Sequence, residues 1–156
     1  MAASLPETTS KTGGPLVKQF SVFLSNKVGA MLEIVKLLAT RNAHVLALSI
    51  AEQTDSAIAR IVVSDPETAE AIFQEHNVPF GVCDMVVVEL QEVAADLPKL
   101  LAALLMAEVN MHFSYPLLMR PQGRAALVMH VDDTECACTV LQGEGFKLLS
   151  QADISR

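Results

Sequence analysis

The chain has 156 residues, of which 51% are hydrophobic and 19% charged, with a formal net charge of −7. That composition excludes general disorder, and an acidic chain without a basic run argues against general nucleic-acid binding, which needs clustered Lys and Arg against phosphates. The longest clean apolar run, Leu100 to Ala107, falls far short of the roughly 20 residues that span a bilayer.

Residues 1–16, rich in Ser, Thr, Gly and Pro, have few side chains to bury and are expected to form a disordered tail. Val17 to Leu24 reads as a strand, and Ser25 to Gly29 as a loop. Met31, Leu32, Ile34, Val35, Leu38 and Ala39 then recur at helical spacing, predicting a helix from Ala30 to Arg41 closed by Asn42. His44 to Gln53 and Ile58 to Ser64 are strands joined by a turn at Thr54-Asp55-Ser56. Asp65-Pro66-Glu67 starts a helix that runs to His76, with Ala69, Ile72 and Phe73 facing inward. Val82 to Leu90 is a fourth strand, which gives the order βαββαβ.

The order then begins again, and Met85 to Leu90 can serve as the opening strand of a second unit. After a loop over Gln91 to Ala95, Leu97, Leu100, Leu101, Leu104 and Leu105 have helical spacing. Met111 to Met119 is a strand, Arg120 to Gly123 a turn, and Ala125 to Val131 the return strand. Asp133 caps a helix carrying Ala137, Val140 and Leu141, and Phe146 to Leu149 closes the series. The halves superpose in sequence: Gly29 on Ala95, Leu38 on Leu104, Ala43 on Val109 and Val45 on Met111 are each 66 positions apart. After the third strand the offset becomes 68, pairing Ile72 with Val140, Phe73 with Leu141 and Val78 with Phe146. The chain is an internal duplication, with expected units at 17–84 and 85–156. Each is a split βαβ, an antiparallel sheet with both helices on one face.

No motif of nucleophilic, phosphate-binding or metal chemistry occurs. Cys136 and Cys138 lie two apart on a helix and point roughly 200° from each other, so neither a shared metal nor a normal bridge is available to them. His112 and His130 lie on two strands of one hairpin, where structural histidines are the expectation. Asp132-Asp133 precedes a helix as a cap. Neither a catalytic residue nor a metal or cofactor site is therefore assigned. Three cysteines cannot all pair, and Met1 to Pro15 lacks a signal-peptide stretch, so a reduced cytoplasmic location is expected.

One segment carries binding chemistry. Asn26, Lys27, Val28, Gly29, Ala30 and Met31 join a strand to an amphipathic helix, where amides and dipole favour a carboxylate and Gly29 permits close approach. Glycine at such a turn is also common without any ligand.

The duplicated βαββαβ unit resembles the ACT domain, and the chain from Val17 to about Asp153 is similar to stand-alone tandem ACT-domain proteins. The resemblance rests on Ser25 to Gly29, Leu32 to Ala39, Asn42, Leu48 to Ala51, Val62 to Pro66 and Asp84 to Val88. It implies an α+β fold of two ferredoxin-like units packed as an intramolecular pseudo-dimer, with antiparallel sheets joined into eight strands. It also implies regulatory binding of a small amino acid at a domain interface, through the first strand-to-helix loop; Val28 stands where many members have Pro. In the second unit, Glu92, Val93, Ala94 and Ala95 mark a degenerate site: Ala95 replaces the glycine, and Glu92 and Asp96 repel a carboxylate or cap the helix. The reading that follows is a non-enzymatic amino-acid sensor, dimeric, acting on a biosynthetic enzyme or regulator. The alternative is a ligand-free interaction subunit of such an enzyme.

Overall fold

The computed structural model describes residues 15–25 and 29–155. Most of the expected tail, residues 1–14, lies outside the described residues, as do Asn26, Lys27 and Val28. At the tail's end Pro15 and Leu16 are half-buried, and Leu16 packs on a core of the second unit.

The first unit consists of β1 (Val17–Ser25), α1 (Ala30–Ala39), β2 (Val45–Glu52), β3 (Ser56–Val63), α2 (Pro66–Glu75) and β4 (Phe80–Leu90). The chain continues with α3 (Val93–Met106), β5 (Met111–Pro116), a 3-10 turn (Pro121–Gly123), β6 (Ala125–Val131), α4 (Thr134–Gly143), β7 (Leu148–Leu149) and α5 (Gln151–Ile154). The α5 helix is not anticipated by the sequence reading; its Ser150–Asp153 capping box makes four residues helical.

The repeat survives in backbone detail. Asn42 and Glu108, 66 apart, both turn the chain at positive φ, 58° and 56°. Asn77 and Gly145, 68 apart, do so at 53° and 87°. Ala43 N donates to Leu38 O and Val109 N to Leu104 O; Val78 N donates to Phe73 O and Phe146 N to Leu141 O. Helices α2 and α4 open on Asp65 and Asp133, whose carboxylates accept the amides of Thr68 and Cys136. The two Thr68 hydrogen bonds hold the Asp65 carboxyl below the usual range.

Among the described residues the sheet has seven strands rather than the eight expected, in the order β2-β3-β1-β4-β6-β5, with β7 also on β4. Every pairing is antiparallel. The missing strand is explained by β4: residues from Phe80 to Met85 pair with β1, and residues from Val86 to Leu90 pair with β6. The run Met85-Val86-Val87-Val88 contains no turn residue, so one strand closes the first unit and opens the second.

Three cores result. Helices α1 and α2 cover one around Phe20, Ile61 and Phe73, and α3 and α4 cover another around Val88, Leu100 and Leu141. The third lies between the opposite faces of the two halves, where Val17, Ala47, Val62 and Met85 meet Leu117, Val128 and Leu149. There the Tyr115 hydroxyl donates to Gln19 Oε1 at 2.6 Å, so two buried polar groups satisfy each other. The sheet curls until its ends meet: Leu118 N donates to Leu46 O at 2.7 Å. This β5-side contact follows Pro116, which ends the strand three residues before the expected Met119. Of the periodic leucines in α3, Leu100 and Leu104 are buried, whereas Leu105 is 77% exposed.

Candidate functional site

Of the six residues proposed for the first loop, Gly29, Ala30 and Met31 are described. Gly29 is exposed and adopts φ 91°, ψ −6°, the left-handed conformation that favours glycine. A Cβ placed on it would meet nothing within 4 Å, so the glycine is required by its backbone rather than by crowding. Ala30 begins α1, and Met31 packs on the edge of the first core. Leu48 packs there too, whereas Ile50, an apolar neighbour in sequence, is half exposed.

The N-terminal ends of the helices differ. Asp65, Asp133 and Ser150 cap α2, α4 and α5 with their side chains. At α1 the capping position is Gly29, which has no side chain to offer. Helix-start amides at the positive end of the dipole attract an anion where no side chain caps them.

The second loop is built differently. Strand β4 ends at Leu90 and α3 begins at Val93, leaving two residues where the first unit has four between Ser25 and Ala30. Ala95, the counterpart of Gly29, is inside the helix rather than at its start, and the loop expected over Gln91 to Ala95 is shortened accordingly. Asp96 Oδ2 accepts from Gln91 N at 2.9 Å and Glu92 N at 3.0 Å, so a carboxylate of the chain itself occupies these amides. Glu92, at the N-cap, makes no side-chain capping bond. Val93 and Ala94 form the exposed first turn.

His112 and His130 do come together, with ring centroids 5.2 Å apart. His130 is stacked on Phe113 at 4.9 Å, and the Arg60 guanidinium lies 4.1 Å from the other ring's centre. Burial, His112 and Arg60 together hold the His130 pKa below that of a free imidazole. The His112 ring is tilted by 41° to that of His130, and among the described residues His130 Nδ1 has no hydrogen-bond partner. Among the described residues, no group of three or more His, Cys, Asp or Glu could hold a metal ion. The three cysteines are free thiols, and burial raises the pKa of Cys83 and Cys138, away from the reactive thiolate.

Among the described residues, no helix is long and apolar enough to cross a membrane. The family model of an ACT domain pair matches residues 16–156. The solved structure of protein BT0572 from Bacteroides thetaiotaomicron is similar, with a TM-score of 0.83 and 29% identity over 92% of this chain and 98% of that one. The ligand-free regulatory subunit of aspartate kinase from Thermus thermophilus shares the fold at a TM-score of 0.57 and 11% identity, over 83% of this chain and 91% of its own. No curated protein matches the sequence.

Proposed function

The chain belongs to the ACT domain pair family, and on that premise we propose that it is a regulatory sensor that binds a small amino acid at the β1–α1 loop. The observation that carries this reading is Gly29: left-handed, exposed, with open space above it and, among the described residues, no side chain capping α1. A ligand carboxylate supplies the acceptor that Asp65 and Asp133 supply at α2 and α4. The second unit is built against the same use, because its loop is two residues shorter and Asp96 already takes the amides of Gln91 and Glu92. Binding is therefore one-sided, with the site shared at an interface between units or chains.

This is a role without catalysis, in the cytoplasm. Its output passes to another protein: a second copy of this chain, or a biosynthetic enzyme or regulator. The outer face of α3, where Leu105 is 77% and Met106 85% exposed, supports association of this kind. Coupling requires that the ligand bind one packing of the units or chains more tightly than another.

Thermal unfolding against each of the twenty amino acids at millimolar concentration tests the reading. A ligand at 100 times its Kd stabilises by about 2.7 kcal/mol, a shift of several degrees for a chain of this size. One side-chain class is expected to shift the wild type and to leave Gly29→Val unmoved. No shift with any amino acid would favour the ligand-free interaction subunit.

A further inference from the structure

A second cleft, of about 430 Å³, opens where the β5–β6 connection faces the end of β4. Strand β1 pairs with β4 near Phe80, so the β1–α1 loop and this cleft lie at opposite ends of β4, roughly 30 Å apart at the rise of a strand. Met119, Pro121 and Leu149 give its lining an apolar part. Glu89, Arg120, Lys147 and Asp153 give it a charged part. Glu89, whose side chain is 2% exposed, accepts from Arg124 Nη1 at 2.8 Å, and Lys147 Nζ stands 3.9 Å from its other oxygen.

Glu89 has its partner from outside the lining. Arg124 satisfies Glu89 at hydrogen-bond distance, whereas 3.9 Å is too long for a hydrogen bond and leaves the half-exposed Lys147 ammonium with donors to spare. Arg120 also lines the cleft, and it forms no ion pair with a described residue. Asp153, the other acid of the lining, accepts from Ser150 N and Oγ in the capping box of α5. Arg120 and Lys147 thus line one cleft of a protein whose net charge is −7, with Arg124 on Glu89 from outside the lining. A concave site that sets apolar side chains beside a few polar groups is one form that small-molecule sites take.

We propose that this cleft binds a small organic carboxylate, with Arg120 and Lys147 on the carboxylate and Met119 and Leu149 against a short apolar body. Glu89 and Arg124 are the fixed platform that keeps Lys147 in place. The site is independent of Gly29, so the two can succeed or fail separately.

Butyrate and succinate, titrated into the full chain with labelled Met and Leu methyls, test the assignment, with inorganic phosphate as the purely charged control. Saturable shifts at Met119 and Leu149 are expected. Arg120→Gln and Lys147→Gln should each weaken them at least about tenfold, the effect of losing one charge-assisted hydrogen bond. Arg120→Lys, which keeps the charge, should retain most of the affinity, and Gly29→Val should not alter it. The remaining methyl signals report that each variant is folded. Absence of saturable shifts, unchanged affinity in both Gln variants, or phosphate binding as tightly as butyrate would overturn the proposal.

Discussion

Gly29 carries its argument through a single dihedral angle. At φ 91° a β-branched side chain is strained whatever space surrounds it. Gly29→Val should therefore destabilise the fold by about 1–2 kcal/mol as well as close the approach to α1, and urea unfolding without ligand measures the first effect separately. Tyr115 and Gln19 bear on the central core in the same way. Tyr115→Phe leaves Gln19 Oε1 buried without its donor and should cost about 1–3 kcal/mol in urea unfolding. His130 predicts a pH dependence. Its pKa is lower folded than unfolded, so the unfolded state takes up a proton first as the pH falls below about 6.5. Stability is full above that value and is lost on acidification until the folded pKa is reached. His130→Gln should flatten this part of the urea midpoint against pH curve, and an unchanged slope would contradict the assignment. The glycine was legible in the sequence as a turn residue. The stack of Arg60, Phe113 and His130 was not, since Arg60 belongs to the other unit and no local pattern links it to β5.

Elements were legible where their signals are local. Asp65-Pro66 and Asp133 marked helix starts because a capping carboxylate acts within three residues, and both caps form. Ala69, Ile72 and Phe73 are buried as the period requires. Phe73 packs among Phe20 and Phe80 with ring centroids 5.6 and 5.5 Å away, and Phe73→Ala should cost about 3–5 kcal/mol by thermal or urea unfolding. The second loop was harder to place. Gln91 to Ala95 looks like a connection by its lack of large apolar residues, yet Asp96 reaches back to two amides and α3 starts at Val93. Asp96→Ala should cost about 1 kcal/mol, as the loss of a capping side chain does. It should not create a second amino-acid site, because the connection remains two residues long. Binding stoichiometry on that variant checks the point: one ligand per chain is expected, and two would show that Asp96 alone had blocked the second loop.

The whole molecule depends on β4. Its apolar run serves a strand buried on both faces, so the alternation that would reveal its neighbours is absent from the sequence. The duplication predicted two units, and an eight-stranded sheet follows only if each unit keeps its own strand at the junction. Sharing β4 removes one strand, curls the sheet and encloses the core in which Tyr115 meets Gln19. The two halves thus keep the repeat in their helices and turns but diverge at the loop that would hold a ligand. We propose that this divergence leaves one amino-acid site, at Gly29. The most direct measurement is amide NMR of the full chain, titrated with whichever amino acid raises the unfolding temperature. Shifts concentrated at Gly29, Ala30 and Met31, with Gln91 to Asp96 unmoved, are predicted. Shifts at Gln91 to Asp96 instead, or at neither loop, would contradict it.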